Sequence, residues 1–247
     1  MLMQEERELV VEYGKKMSAA RLSTGTSGNI SIYNAEKGLV ALSPSGMDYF
    51  STTPEDVVIL DLDGKVVDGK RKPSSEWALH TTFYKHKPHA RAVVHTHSVY
   101  CTTLAVLGEP IRAVHYVIGD AGAAEVPCAP YQLFGTEALA EAAMEVCGKS
   151  DGVLLGNHGL VCCLRPRLQS GIHRGDPVPR HEHRQAQCVD GGADGRGYGE
   201  VPVLRSARCE KDRILRGALR CGTLIFTALP TSCSERTGRR RPAGMSS

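Results

Sequence analysis

Long apolar runs are missing from this sequence of 247 residues. No stretch stays apolar for the roughly 18 residues a membrane-crossing helix needs, so helical membrane spans are not expected. Also missing is the cationic-then-apolar order of a secretory signal: Met1 to Lys16 is mixed and charged, with Gln4, Glu5, Glu6, Arg7 and Glu8 close together. The expected location is cytoplasmic. Nine cysteines are present, but no zinc-type C-x-x-C pair is formed among them. Cys162 and Cys163 are adjacent, Cys101, Cys128 and Cys147 lie in apolar segments, and Cys188, Cys209, Cys221 and Cys233 are scattered. Free thiols in a reducing compartment are therefore expected.

Lysine is the next scarcity, and it is local. Up to Cys163 there are 9 Lys and 5 Arg against 19 Asp and Glu; from Leu164 onward there are 1 Lys and 15 Arg against 8 acids. The net charge of +3 thus conceals an acidic first part and a basic second part. Segments such as Arg165-Pro166-Arg167, Asp176 to Arg180 and Gly191 to Gly199 sustain neither helix nor strand. Lysine nearly vanishes while arginine triples, which is the vocabulary of a GC-rich gene read out of frame. The expected division is a folded domain over 1–163 and an aberrant, disordered, Arg/Gly/Pro-rich tail over 164–247. Arg239-Arg240-Arg241 resembles a nucleic-acid-binding cluster, but shifted GC-rich codons supply arginine without selection for a partner. No nucleic-acid or membrane partner is expected.

Residues 1–163 have coherent periodicity, and the length suits one α/β domain. Leu9, Val10, Tyr13 and Met17 fall at helical spacing in Glu5 to Ala20. Strands are expected at Ile30 to Tyr33, Val40 to Ser43, Val57 to Leu62 and Val66-Val67, the last two joined through Asp63-Gly64. A helix over Ser75 to His86 is expected with Ser74 or Ser75 near its N-cap. Ala92 to His97 reads as a buried strand, Ser98 to Leu107 and Glu137 to Cys147 as helices. Gly152 to Leu155 and Gly159 to Cys163 read as strands on either side of Asn157-His158. Short elements in mixed order predict an α/β/α sandwich around a mostly antiparallel sheet.

Chemistry concentrates at a few positions. On a strand, residues two apart share a face, so His95 and His97 can reach one point while Thr96 points away. That pattern alone is common. His158 adds a third imidazole between small residues, Gly156 and Gly159, where the backbone can approach closely. Three imidazoles leave an open position on a metal ion, as catalytic zinc sites require. The histidines His80, His86 and His89 stand in or beside a charged helix and are expected to be solvated; His173, His181 and His183 fall in the basic tail. Glu76, at a helix start, reads either as a dipole partner or as a general base beside a metal. Gly28-Asn29, Ser45-Gly46 and Ser74-Ser75 are ordinary turn sequences that together could cradle a phosphate through backbone N–H groups and hydroxyls.

Taken in order, Thr26-Ser27-Gly28-Asn29-Ile30-Ser31, Ser43-Pro44-Ser45-Gly46, Pro73-Ser74-Ser75-Glu76, His95-Thr96-His97 and Asn157-His158-Gly159-Leu160 resemble class II aldolases of the fuculose-phosphate aldolase type. His115-Tyr116, Val126 to Tyr131 and Phe134-Gly135-Thr136 are similar to that family too, and the resemblance covers about residues 5–163. It implies zinc, or Mn2+ or Co2+, on His95, His97 and His158, with Glu76 near the metal and acting as acid and base. It places phosphate at Gly28, Asn29, Ser45, Gly46, Ser74 and Ser75. It further implies a homotetramer with sites at subunit interfaces, in which Tyr116 serves a neighbour's site. The implied substrate is a small phosphorylated sugar, a ketose 1-phosphate cleaved to dihydroxyacetone phosphate and an aldehyde. Sugar-phosphate 4-epimerases, methylthioribulose-phosphate dehydratases and the non-catalytic adducin head share the fold. The family closes its site with C-terminal residues, for which the stretch after Cys163 offers no counterpart.

Overall fold

Period-two alternation decides which side of the central sheet each strand residue serves. The computed structural model describes residues 1–164. Helix α1 (Gln4–Ala19) precedes strands β1 (Asn29–Asn34), β2 (Leu39–Leu42), β3 (Val58–Asp61) and β4 (Val66–Asp68). Helix α2 (Trp77–His86), strand β5 (Ala92–Thr96) and helix α3 (Val99–Leu107) follow. Strands β6 (Ile111–Arg112) and β7 (Glu125–Val126) pair with each other and flank a 3-10 segment, Tyr116–Ala121. Strand β8 (Cys128–Ala129), helix α4 (Glu137–Cys147) and strands β9 (Gly152–Leu155) and β10 (Gly159–Leu164) complete the described chain.

Eight strands form one sheet in the order β4-β3-β2-β1-β5-β10-β9-β8. Its pairs are antiparallel except β8 with β9, which is parallel. Ile30, Ile32, Ala41, Ile59, Ala92 and Val94 face Leu9, Val10, Tyr13 and Met17 of α1. Val40, Leu42, Val58, Leu60, Val93 and Val161 face Leu79 and Phe83 of α2 and Leu139 and Ala143 of α4. A smaller cluster joins Cys101 and Ala105 of α3 to Leu154 and Leu160. Each large side chain so buried contributes about 1.5–3 kcal/mol. The result is the expected α/β/α sandwich with a mostly antiparallel sheet. The expected disordered tail lies outside the described residues, apart from Leu164, which closes β10.

One element starts later than its sequence suggests. Helix α2 begins at Trp77, not Ser75, and Glu76 occupies the N-cap position without a side-chain cap bond. The reason lies next door: Ser45 N–H donates to the Lys72 carbonyl (2.9 Å) and Ser74 N–H to the Ser43 carbonyl (3.1 Å). Those bonds hold residues 72–74 extended along 43–45, so the helix cannot wind back to Ser75.

The β3–β4 hairpin meets this helix start. Gly64 adopts φ +82°, and a Cβ there would lie 2.2 Å from Cζ3 of Trp77, the chain's one tryptophan. Gly64→Ala is expected to cost about 1–3 kcal/mol through overpacking and a disfavoured φ. Urea unfolding followed by Trp77 fluorescence would show a lowered midpoint; an unchanged midpoint contradicts the packing described.

Candidate metal centre and cleft

Strand parity turns His95 toward the α2 side of the sheet, together with Val93. His97 lies one residue past the end of β5, yet its Nε2 is 2.8 Å from that of His95. His158 comes from the β9–β10 connection, where Asn157 takes φ +53°, a left-handed turn that asparagine tolerates well. The three rings meet edge to face, with centroids 4.7, 4.7 and 4.9 Å apart. Gly159 permits this approach, since a Cβ there would stand 2.4 Å from the Thr96 carbonyl and 3.1 Å from His97 Cδ2.

Glu76 closes the group. Its Oε2 lies 3.2 Å from His95 Nε2 and its Oε1 3.5 Å from His158 Nε2. The fit to a cation rests on three observations. His95 Nδ1 is 3.1 Å from the Leu160 carbonyl, which can only accept, so Nδ1 carries the proton and Nε2 presents a lone pair. Glu76 Oε1 is buried with no hydrogen-bond partner. Finally, His95, His97 and His158 each offer a ligand atom within 4.8 Å of the others. Burial, then the neighbouring His158 and His97, holds His95 well below the usual histidine range; burial and His158 likewise lower His97. Neutral imidazoles are the form that binds metal.

A cleft of about 400 Å³ opens beside this group. Gly28, Asn29, Ser45, Gly46, Ser74 and Ser75 all line it, with Glu76, His97 and His158. The three turns are therefore brought to one place, but they do not all offer what the sequence suggests. The amides of Ser45 and Ser74 are already bonded to backbone carbonyls, so those residues contribute hydroxyls rather than N–H groups. The side chain of Asn29 is also engaged: Nδ2 donates to Glu76 Oε2 (2.8 Å), and Oδ1 lies 2.5 Å from His80 Nε2. Thr26, Tyr131, Gln132 and Phe134 complete much of the wall; Tyr131 and Phe134 had been visible only within the resemblance.

Two histidines expected in solvent are not there. His80 is wholly buried, with Nδ1 2.6 Å from Ser31 Oγ, and burial lowers its pKa to about 3. The charged run that suggested exposure, Lys85 to Lys87, belongs to the end of α2, whereas His80 lies on its sheet-facing side with Leu79, Phe83 and Tyr84. His89 is partly buried and bonded to Asp151 at 2.8 Å. His86 is exposed, as expected. His173, His181 and His183 lie outside the described residues.

Tyr116 opens the 3-10 segment at 87% exposure, outside the cleft. Val99, Val106, Leu107 and Val114 are exposed nearby in the chain. None of the five cysteines among the described residues is joined in a disulfide. Among the described residues no helix is long and apolar enough to cross a membrane.

The class II aldolase and adducin N-terminal domain matches residues 8–165. A 5-deoxy-D-ribulose 1-phosphate aldolase of Bacillus thuringiensis serovar kurstaki is 55% identical over 161 residues, covering 65% of this chain and 75% of that protein. The L-fuculose phosphate aldolase of Escherichia coli K12 is 38% identical over 154 residues, 62% of this chain and 70% of its own. A solved L-fuculose 1-phosphate aldolase superposes with TM-score 0.67 at 29% identity, covering 92% of this chain and 88% of that one.

Proposed function

Because the chain belongs to the class II aldolase and adducin N-terminal domain family, and is a lyase of its aldolase branch, we propose that it cleaves a ketose 1-phosphate to dihydroxyacetone phosphate and an aldehyde. The observation that carries this reading is the meeting of Glu76 with three imidazoles at the wall of a cleft flanked by three small-residue turns. His95, His97 and His158 would hold the ion, with Glu76 beside them. Zinc is the ion assigned; Mn2+ or Co2+ would fit the same donors. When bound, it would supply Lewis acidity to charge developing on the substrate's oxygens.

The chain's own residues do the rest. Gly28, Asn29, Gly46 and Ser75, with the hydroxyls of Ser45 and Ser74, would hold the phosphate. The C4 hydroxyl loses its proton, the C3–C4 bond breaks, and its electron pair moves toward the C2 carbonyl. Glu76, a carboxylate at rest, would take up a proton from solvent and deliver it to C3 of the departing triose phosphate. Tyr116, in a neighbouring subunit's site, would take the C4 hydroxyl proton as its own phenol proton passes to solvent, so no net proton is gained or lost. Its exposure, and that of Val99, Val106, Leu107 and Val114, suits burial against a second copy in a homotetramer.

Two substrates deserve testing first, L-fuculose 1-phosphate and 5-deoxyribulose 1-phosphate. Both end in a methyl group, which suits the Tyr131 and Phe134 side of the cleft. With zinc supplied, release of dihydroxyacetone phosphate from either supports the proposal. Epimerisation of a pentulose 5-phosphate, water loss without carbon–carbon cleavage, or no turnover would each replace it. The role given to Tyr116 predicts complementation. Tyr116→Phe and Glu76→Gln should each be poorly active, by roughly 10²-fold or more. Co-refolded, they should regain activity through mixed sites. Mixtures no better than their parts would remove Tyr116 from the mechanism.

A further inference from the structure

Behind Glu76 runs an unbroken line of buried polar groups. Glu76 Oε2 receives Asn29 Nδ2–H at 2.8 Å; Asn29 Oδ1 lies 2.5 Å from His80 Nε2; His80 Nδ1 lies 2.6 Å from Ser31 Oγ; and Ser31 Oγ lies 2.7 Å from Tyr84 Oη. All of these residues are buried. Asn29 and Ser31 share the α2-facing side of β1, and His80 and Tyr84 are one helical turn apart on α2.

Donor and acceptor rules leave this line little freedom. A carboxylate only accepts, so the Asn29 group facing it is the NH2, and its carbonyl must face His80. That carbonyl needs a donor, so His80 carries its proton on Nε2. His80 Nδ1 is then an acceptor, Ser31 donates to it, and Tyr84 donates to Ser31. Burial keeps the Tyr84 phenol protonated and His80 neutral, the states this order requires. Every donor thus points toward Glu76. The reverse order is also self-consistent, but only with a protonated Glu76 and the His80 proton on Nδ1.

We propose that His80 is a positioning residue for the aldolase reaction: through Asn29 it fixes the amide orientation that holds the Glu76 carboxylate aimed at the substrate. The inference rests on the role proposed above for Glu76. Without a donor at His80 Nε2, the Asn29 amide can invert and present oxygen to oxygen, turning the carboxylate out of position. A network that served stability alone would fix the same tautomer but would not separate kcat from KM.

The test has two arms. In the metal-free wild type, ¹⁵N-histidine NMR should show His80 as the Nε2–H tautomer; an Nδ1–H tautomer overturns the proposal. In the zinc enzyme, His80→Leu should lower kcat by roughly 10–100-fold while KM and zinc content stay near wild type. His80→Gln, whose amide N–H can replace Nε2–H toward Asn29, should recover most of that loss. Equal loss in both variants, or none in His80→Leu, also overturns it. If His80→Leu does not fold, His80→Gln with near-normal kcat and the tautomer remain decisive. A wild type with no turnover would sink the aldolase reading instead. In that case the visible spectrum of Co2+-loaded protein, altered in His80→Leu and restored in His80→Gln, still reports the positioning of Glu76.

Discussion

Glu76→Gln is expected to lower turnover by about 10²–10⁴-fold while the protein still takes up one metal ion per chain. The substitution preserves volume and leaves His95, His97 and His158 unchanged. An amide can satisfy Asn29 Nδ2 through its oxygen, so the hydrogen bond now made to Glu76 Oε2 survives. What disappears is a group that can take up and return a proton 3.2–3.5 Å from two of the imidazoles. Metal analysis paired with a dihydroxyacetone phosphate assay separates the two roles. Loss of both metal and turnover would make Glu76 chiefly a ligand; turnover within about threefold of wild type would deny it the proton transfer.

His95→Ala should be the more complete lesion, because it removes metal and activity together. His95 is fully buried in the centre of the sheet, and its Nδ1–H bond to the Leu160 carbonyl fixes both ring orientation and tautomer. Deleting the ring opens a hole beside His97 and His158 and leaves that carbonyl without its donor, at a cost of about 1–3 kcal/mol. Two imidazoles and the Glu76 carboxylate remain; such a set can hold zinc where it is preorganised, but here the deleted ring leaves the donors around it unbraced. Zinc affinity should fall by about 10–100-fold or more, and turnover with it. His86→Ala is the control, since His86 is exposed. Chelation of the wild type should abolish turnover, and zinc, cobalt or manganese should restore it. A chelated enzyme with full activity would refute the metal-centre reading.

The sequence conveyed most of the architecture because its two periods are clean. His95 and His97 stand two residues apart at the end of β5, so the shared direction of these two candidate ligands could be read without coordinates. Glu76 was harder, since its place depends on residues 72–74 being tied to 43–45, a contact between distant segments that no local pattern encodes. His80 was misread for a related reason. Its neighbours Lys85, His86 and Lys87 are charged, but burial follows the face of α2 rather than its average polarity. The signal was present in Asn29 and Ser31, two polar residues pointing inward from β1, whose buried groups had to find partners on the facing helix.

The placement of β10 bears on the order in which the molecule can be made. Strands β4, β3, β2, β1 and β5 can associate from residues 29–96 alone, whereas β10 is the strand that joins them to β9 and β8. During synthesis, then, the sheet exists as two unconnected pieces until β10 has emerged. Val161 then pairs with His95, a contact between residues far apart in the chain and slow to form for that reason. The third imidazole, His158, arrives with that same strand. Capture of an ion by the proposed centre would thereby be timed to completion of this sheet, and the ion would act as a lock on it.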